Sequence, residues 1–261
     1  MPLPQSPSIS IVTVVFNGRQ VIPVTVASVL SQTWSSLEYV VVDGGSSDGT
    51  VDYLRETLSD YTRSGGPISV RFVSEPDEGL YHAMNKGLHM ASGEWILFLN
   101  AGDAFRQPDT LERMMRYRTE ETDVLYGETM LVDSKRQPLG TRSETTTQRL
   151  PEQLDWKSLR FGMVVCHQAF LARRSLATEY IPDNLAADID WIIQLLKRCR
   201  RAVHTHLVVV DYLIGGVSRQ RHRQSLWDRF LVLQRHFGFF PNLMNHLLIL
   251  LRAASHARRL R

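Results

Sequence analysis

The sequence predicts an α/β protein with a mainly parallel sheet flanked by helices. Three apolar segments support this prediction, and each runs into a loop rich in Gly, Asn or Asp: ISIVTVV before Phe16-Asn17-Gly18, LEYVVVD before GGSSDGT, and EWILFL before NAGD. Continuous β-branched and aliphatic runs are typical of strands buried on both faces, as in a parallel sheet. Segments with helical periodicity lie between these runs, and this alternation indicates right-handed crossovers.

Helices are predicted where apolar residues recur at helical intervals. Pro23 is tolerated near the first turn of such a segment, and Ser46-Ser47-Asp48 offers N-cap residues for the next one. The predicted helices are residues 21–34, 50–58, 79–91 and 187–198.

The second half of the chain is less regular. Residues 124–132 and 206–212 are predicted to contribute strands, and a polar loop region between them carries Arg142, Arg149 and Arg160. Beyond Gly215-Gly216 the pattern is purely helical. The predicted organisation is therefore a catalytic α/β domain over residues 1–218 and a helical tail over residues 219–261.

Composition narrows the class of protein. The 261 residues are 43% hydrophobic and 22% charged, as in an ordinary soluble globular protein, and the net charge is only +3. Basic residues concentrate near the C-terminus, which indicates a local anionic partner and no nucleic acid. Two cysteines exclude a disulfide framework. The start MPLPQSPS lacks the features of a secretion signal, and no apolar run reaches the roughly 20 residues of a membrane span, so a cytoplasmic location is expected.

Polar residues follow each predicted parallel strand and would meet at one edge of the sheet. Ligands of open α/β sheets bind just beyond the carboxyl ends of the strands. Asn17, Asp43 and the Asn100–Asp103 turn are therefore predicted to line one binding crevice. The glycines after Asp43 would allow close approach of a ligand.

Each acidic loop also admits a purely local role. Asp103 could hold Mg²⁺ or Mn²⁺, which prefer oxygen ligands, or it could close an Asx-type turn with Asn100. Asp43 could accept hydrogen bonds from a base or a ribose, or it could organise its own turn, while Asp48 better fits a helix cap.

Other polar residues are candidates with similar alternatives. Asp77 could be an N-cap, and Asn85 needs a partner if it is buried on its apolar helix. Asp188, at the start of a helix, fits either a cap or a general base. Asp190 lies two residues further and must point to a different face. His167 lacks a neighbouring metal-ligand cluster, so a substrate-contacting or core role is preferred.

Taken in order, these motifs resemble the inverting, nucleotide-sugar-dependent glycosyltransferases of family 2, which have the GT-A fold. The resemblance covers about Ser8 to Ser218 and is closest to bacterial enzymes that build exopolysaccharide, capsule or O-antigen repeats on lipid carriers. The motifs that carry it are ISIVTVVFNG, VVDGGSSDGT, EPDEGLYHAMNKG, GEWILFLNAGD, CHQAF, AADIDW and GGVS.

The resemblance implies a role for each candidate residue. The NAGD turn corresponds to the metal motif of the family, with Asp103 as the carboxylate that reaches Mg²⁺ or Mn²⁺. Asp188 corresponds to the catalytic base, with Asp190 as a second acid and His167 as a possible acceptor-side residue. The residues implied to bind the nucleotide sugar are Thr13, Val15, Asn17, Asp43, Asp77, Asn85 and Asn100.

The sequence departs from the family pattern at four positions. Asn100 and Gly102 stand where the complete metal motif of the family has acidic residues, which predicts a weaker dependence on the metal. Gly44 stands where many relatives have a second Asp, and Ala187 replaces the usual Glu.

The tail is predicted to form two amphipathic helices broken at Gly238 and Pro241. Its apolar residues would lie in a membrane interface, and its arginines would lie near anionic head groups, including Arg229, Arg235, Arg252, Arg258 and Arg259. This predicts peripheral contact with the inner face of the cell membrane and suits a glycan or lipid-linked acceptor. The alternative is that these helices pack on the catalytic domain or on a second subunit.

Two other function classes share parts of this pattern. A sugar nucleotidyltransferase also uses an α/β sheet and a metal, but FNGRQ is a poor match to its phosphate loop. A non-catalytic nucleotide-sugar binding protein would tolerate a metal motif with fewer acidic residues, but it would not need Asp188 and Asp190.

Overall fold

A computed structural model describes residues 8–215 and 221–259. Over these residues nine strands form one mixed sheet in the order β3-β2-β1-β4-β8-β6-β9-β5, with β7 paired to β6. The strands are β1 (Ile9–Val15), β2 (Leu37–Asp43), β3 (Ser69–Ser74), β4 (Trp95–Phe98), β5 (Ala104–Phe105), β6 (Val124–Val132), β7 (Pro138–Thr141), β8 (Phe170–Arg173) and β9 (Ala202–Leu213).

The sheet is parallel over its N-terminal half. β1 pairs in parallel with both β2 and β4, and β2 pairs in parallel with β3. Every residue of β1, β2 and β4 is buried, as the continuous apolar runs predicted. Beyond β4 the pairing is mixed, because β8 is antiparallel to β4 and β6, whereas β9 is parallel to β6. The α/β fold class is confirmed.

Helices cover both faces of the sheet. They are α1 (Ile22–Leu30), α2 (Thr50–Arg63), α3 (Leu80–Met90), α4 (Thr110–Met115), α5 (Arg142–Thr145) and α6 (Ala187–Leu196), and a 3₁₀ helix spans Trp156–Phe161. Successive residues of β1 serve opposite cores, so that Ile11 faces α1 and α2 while Val12 faces α3 and α6. The sequence missed β3, since its side chains alternate between half-buried and exposed instead of forming an apolar run.

Two helices follow at the C-terminus, α7 (His222–Phe237) and α8 (Phe239–Arg259). They break at Gly238, which has a φ of 84°, while Pro241 lies in the first turn of α8. Val232 and Leu233 of α7 are buried in the core that also contains α6. Thus α7 packs on the α/β sheet domain through α6, which was one of the two alternatives for the tail.

Some features predicted from the sequence lie outside the described residues. The boundary at residues 218 and 219 falls there, as do most of the GGVS motif and the side chains of Leu251, Arg252, Arg258 and Arg259. Among the helices that are described, none combines the length and apolar character needed to cross a membrane.

Candidate active site

The loops after β1 and β2 are tied together by Asn17. Its backbone N–H donates to Ser46 Oγ at 2.7 Å, and its Oδ1 accepts from the N–H of Ser47 at 2.9 Å. The residue has a φ of 47°, in the left-handed region that Asn tolerates better than most residues. Asn17 therefore fixes the shape of the rim above the two strands.

Asp43 organises its own loop. The carboxylate is fully buried, and Oδ2 accepts from the N–H groups of Gly45 and Ser46 at 3.0 and 2.9 Å and from Ser74 Oγ at 2.8 Å. These bonds occupy much of the hydrogen-bonding capacity of a carboxylate. The local role foreseen for Asp43 is thus present in the structure.

Asp77 lies against Gly44. A Cβ atom at Gly44 would lie 2.5 Å from Asp77 Oδ2, so the space that a side chain at position 44 would occupy holds the carboxylate of Asp77. Asp77 Oδ1 accepts from the N–H of Gly79 at 2.8 Å, just before α3. The loop after β3 therefore brings a carboxylate to the space that a side chain on the loop after β2 would otherwise fill.

Thr13 and Val15 lie within β1, below the rim. Thr13 Oγ1 donates to the carbonyl of Leu99 at 2.7 Å and lies 3.2 Å from the hydroxyl of Tyr39, and Thr13 is completely buried. Val15 is also buried. Thr13 lies inside the strand and Val15 is its last residue, so the binding role predicted for both remains a prediction.

The NAGD turn follows β4. Asp103 is only 4% exposed, and its Oδ1 accepts from the N–H of Leu213 at 2.9 Å. Burial raises the pKa of Asp103 to about 8, although Leu213 and the nearby Arg136 guanidinium both act to lower it. Asn100 Oδ1 is buried without a hydrogen-bond partner. The turn thus contains a carboxyl group and an amide oxygen that each have unused capacity to bind a ligand.

This donor set fits a hard divalent ion. Mg²⁺ and Mn²⁺ take oxygen ligands, and Mg²⁺ is typically held by one or two carboxylates together with substrate phosphates and water. Asp103 and the unpartnered Asn100 Oδ1 supply such oxygens. A cation near Asp103 would also offset the cost of ionising this buried carboxyl group.

Asp188 occupies the first turn of α6 and is half-buried. Its Oδ1 accepts from the N–H of Ile189 at 2.8 Å. Burial raises the pKa of Asp188 to about 6, and this rise is limited by the Ile189 N–H, a hydrogen bond from Tyr81 and the positive charge of Arg142. The carboxylate is therefore mostly ionised at neutral pH yet more basic than an ordinary aspartate.

Tyr212 interacts electrostatically with both Asp103 and Asp188. Burial raises the pKa of Tyr212, the charges of both aspartates add to this effect, and Arg142 opposes it. Such interactions require the charged groups to lie close to the tyrosine hydroxyl. The ends of β4, α6 and β9 thus bring their polar side chains to one site.

Asn85 and His167 both bind Tyr180, Asn85 from a half-buried position and His167 from a buried one. Asn85 binds the backbone of Tyr180 twice, through Nδ2 to its carbonyl at 2.9 Å and through Oδ1 to its N–H at 2.7 Å. His167 Nε2 lies 2.8 Å from the Tyr180 hydroxyl, and its ring packs against Phe98 and Trp191. Burial lowers the pKa of His167 to about 3, so this histidine is neutral.

Asp190 points away from Asp188, as the two-residue spacing predicted. Its buried carboxylate accepts from His236 Nε2 at 2.8 Å and from Gln194 Nε2, and Arg235 lies 3.7 Å away. These partners on α7 and α6 hold the pKa of Asp190 below its usual range. The structure therefore places Asp190 in the contact between α6 and α7.

Three residues near this site escaped the sequence analysis. Tyr81 and Tyr212 sit in apolar patterns that predict only core positions. Arg142 was noted on a polar loop without a role, and its guanidinium donates to the carbonyls of Met163 and Val164 beside the site. A capping box at Thr141 and Glu144 gave a local signal for the helix that positions Arg142.

Comparison with solved structures identifies the fold. The chain matches the structure of S. aureus TarS 1-349 in complex with UDP-GlcNAc with a TM-score of 0.65 and 16% identity, covering 87% of this chain and 66% of that one. It matches the mannosyltransferase PcManGT from Pyrobaculum calidifontis, in complex with GDP-Man and Mn²⁺, with a TM-score of 0.66 and 17% identity, covering 98% and 76%. The predicted GT-A fold is confirmed.

Sequence comparison defines the family. The pattern described as Glycosyl transferase family 2 matches residues 10–181. A PGL/p-HBAD biosynthesis glycosyltransferase of Mycobacterium bovis (strain BCG / Pasteur 1173P2) is 31% identical over 223 residues, covering 82% of this chain and 80% of the relative. An uncharacterized glycosyltransferase of Mycobacterium tuberculosis (strain ATCC 25618 / H37Rv) is 29% identical over 256 residues. The chain belongs to glycosyl transferase family 2 and is a glycosyltransferase, as predicted.

Proposed function

We propose that this glycosyltransferase moves a sugar from a nucleoside-diphosphate sugar to a hydroxyl group of a lipid-linked or growing polysaccharide acceptor, with inversion at the anomeric carbon. The observation that carries the proposal is Asp188, a half-buried carboxylate with a pKa of about 6 whose charge, like that of Asp103, acts on Tyr212. A base with a pKa near the working pH is effective in proton transfer.

Asp188 would act as the general base. As the acceptor oxygen attacks the anomeric carbon, its proton passes to the Asp188 oxygen that does not accept from Ile189. The bond between the anomeric carbon and the diphosphate oxygen breaks, and its electron pair leaves with the nucleoside diphosphate. A single displacement of this kind inverts the configuration, and the Tyr81 hydroxyl holds the carboxylate in place through its hydrogen bond.

Asp103 and Asn100 Oδ1 would hold Mg²⁺ or Mn²⁺ together with the diphosphate of the donor. When bound, the ion stabilises the charge that grows on the departing diphosphate. Arg142, close to Asp188 and Tyr212, would add a fixed positive charge to the same region.

The nucleoside would bind at the rim formed by the loops after β1, β2 and β3. Asn17 and Asp43 hold these loops in shape, and Asp77 presents a carboxylate beside Gly44. Uracil and guanine both carry ring N–H groups that a carboxylate can accept. The nucleotides bound to TarS and PcManGT, a UDP-sugar and a GDP-sugar, define the first donors to test.

The acceptor proposal also rests on the exposed apolar surface of the C-terminal helices. We define this tail surface as Trp227, Phe239, Phe240, Leu243, Met244, Leu247 and Leu248, each exposed by 42% or more. Exposed apolar patches of this kind mark protein or membrane contacts. An acceptor held in the inner face of the cell membrane would be reached by an enzyme bound through this surface.

Incubation of the purified chain with UDP- and GDP-sugars, Mn²⁺ and a lipid-linked glycan acceptor tests the proposal. Acceptor-dependent release of nucleoside diphosphate, with an inverted anomeric centre in the NMR spectrum of the product, is expected. Retained configuration, or formation of pyrophosphate, would contradict the mechanism.

A further inference from the structure

Three side chains that commonly bind transition metals meet near the beginning of β9. They are Glu152, His204 and His206, and one ligand atom from each lies within 4.8 Å of the other two. The opposite end of β9 carries Tyr212 and Leu213, which face the candidate active site. The cluster therefore belongs to a separate part of the molecule and has no role in the transfer reaction proposed above.

The separations of the ligand atoms suit a single tetrahedral ion. Glu152 Oε2 lies 3.3 Å from His204 Nδ1 and 3.7 Å from His206 Nε2. In a tetrahedral zinc site with bonds of about 2.0–2.2 Å, neighbouring ligand atoms are roughly 3.3–3.6 Å apart. Little movement would be needed for the three side chains to bind one ion.

The backbone takes an uncommon path to bring the two histidines together. Tyr126 pairs with His204 and Glu128 pairs with Val208, so two steps along β6 match four steps along β9, and the intervening residues bulge out. His206 adopts a φ of 54°, a left-handed conformation that is uncommon for residues other than glycine. The imidazole rings of His204 and His206 consequently lie 4.2 Å apart.

Tyr126 holds two of the three ligand residues. Its ring stacks on His204 with the centroids 5.2 Å apart, and its hydroxyl donates to the carbonyl of Glu152 at 3.0 Å. A site whose ligands are already positioned loses less conformational entropy when the ion binds. Gly127 makes room for the bulge, because a Cβ atom there would lie 2.6 Å from the carbonyl oxygen of Leu207.

We propose that Glu152, His204 and His206 form a zinc-binding site that links the loop before the 3₁₀ helix Trp156–Phe161 to β9. Two imidazoles and one carboxylate suit Zn²⁺, whereas Mg²⁺ and Ca²⁺ prefer oxygen ligands alone. The side chains of Glu152 and His206 are 72% and 61% exposed, which leaves a fourth position open to water. The bound ion stabilises the folded chain, since the unfolded chain does not hold these ligands together.

Isothermal titration of the EDTA-treated full chain with ZnCl₂, in excess Mg²⁺ to occupy oxygen-ligand sites, tests this proposal. We expect one Zn²⁺ per chain and a rise in the melting temperature on binding. His206→Ala and Glu152→Gln should each weaken this binding by at least about 100-fold, more than the loss of an outer-shell partner. Both side chains are exposed, so the variants should keep the fold, as circular dichroism will verify.

The matched control is His89→Ala. His89 Nε2 lies 2.9 Å from Glu179 in an exposed pair, and no third ligand joins them among the residues that the structure describes. This variant should therefore bind Zn²⁺ as the unmodified chain does. Asp103→Asn should also retain this zinc ion, which separates the site from the candidate active site. Equal zinc affinity in His206→Ala, Glu152→Gln and His89→Ala would overturn the proposal and leave the cluster as an ion pair only.

Discussion

The aspartates at this site and in its surroundings differ in how many hydrogen bonds their carboxylate oxygens accept from the protein. Asp43 accepts several hydrogen bonds from its own loop, and Asp190 binds partners on two helices. Asp103 and Asp188 each accept one backbone N–H within hydrogen-bond distance, and burial raises the pKa of both. Groups of the second kind are suited to act on a ligand, because their shifted pKa can be used in binding or proton transfer.

The first prediction concerns the pH dependence of transfer. Asp188 has a pKa of about 6, and a general base must be ionised. At saturating Mn²⁺, which would hold Asp103 in its ionised form, kcat/KM should therefore rise with pH through about 6 and then level off. Tyr81→Phe removes a hydrogen bond that lowers this pKa and should move the rise to higher pH. Steady-state rates measured from about pH 5 to about pH 8, a range that brackets the pKa of Asp188, provide the measurement.

Asp188→Asn serves as the control for that profile. It should lower kcat by roughly 10²–10⁴-fold while the Kd of the donor stays unchanged. If Asp188→Asn keeps full turnover, the assignment of the base is wrong.

The second prediction concerns Asp103. Asp103→Asn removes the carboxylate proposed to hold the divalent ion, so the gain in donor affinity that Mn²⁺ provides should disappear. Titration calorimetry of donor binding with and without Mn²⁺ measures this coupling. Asp60→Asn, at an exposed carboxylate that pairs with Arg63 on α2, is a control that should leave the Mn²⁺ effect unchanged.

The third prediction concerns the pair Gly44 and Asp77. Because a Cβ at position 44 would lie 2.5 Å from Asp77 Oδ2, Gly44→Asp alone should displace Asp77 and weaken donor binding. Asp77→Gly alone should also weaken it, by removing the carboxylate. The double variant restores one carboxylate to the shared space and should recover affinity lost by either single variant. Additive losses in calorimetry would show that the two positions do not share this role.

At the scale of elements, α7 contacts the chain both before and after Asp188. Asp228 Oδ2 accepts from the N–H of Leu185 at 2.9 Å, before α6 begins, and His236 donates to Asp190 within α6. The first turn of α6 is thus held by tertiary contacts with a helix that lies about forty residues later in the chain. The position of the proposed base depends on this packing.

The fourth prediction tests that dependence. His236→Ala should destabilise the fold by roughly 1–3 kcal/mol, because the buried Asp190 carboxylate loses a partner. It should lower kcat more than it raises the KM of the donor, since α6 would be held less firmly. Urea denaturation and steady-state kinetics measure the two effects. His236→Gln can still donate to Asp190 and should recover part of both, and the exposed Gln224→Ala on the same helix should change neither.

Elements with continuous apolar runs could be predicted from the sequence, because burial on both faces of a strand leaves a strong pattern. β1, β2 and β4 were found in this way, and so were α1, α2, α3 and α6. The surface on which α7 packs could not be predicted, because an amphipathic pattern shows that one face is buried but does not show which surface covers it. Val232 and Leu233 are covered by the catalytic domain. Similarly, the position of Tyr212 beside two distant aspartates depends on strand order in the sheet, which local sequence does not encode.

At the scale of the whole molecule, the C-terminal helices divide their apolar residues between two environments. One side of α7 is buried on the catalytic domain, whereas the tail surface is exposed, with Phe240 at 77%. Deletion of the tail would therefore remove part of the core as well as the proposed membrane contact. Substitutions confined to exposed residues separate these two effects.

The fifth prediction applies this separation to membrane binding. The triple variant Phe240→Gln, Met244→Gln and Leu247→Gln keeps good helix formers while removing apolar area from the tail surface. The chain should float with vesicles that contain anionic lipid, and the triple variant should lose most of this binding because each apolar side chain contributes about 1.5–3 kcal/mol when fully buried. Leu139→Gln, at a residue exposed by 49% on β7, is the matched control and should float like the unmodified chain. Equal flotation of the triple variant and the control would show that the tail surface does not bind membranes, and a concentration-dependent mass in sedimentation would then assign it to contact between copies of the chain.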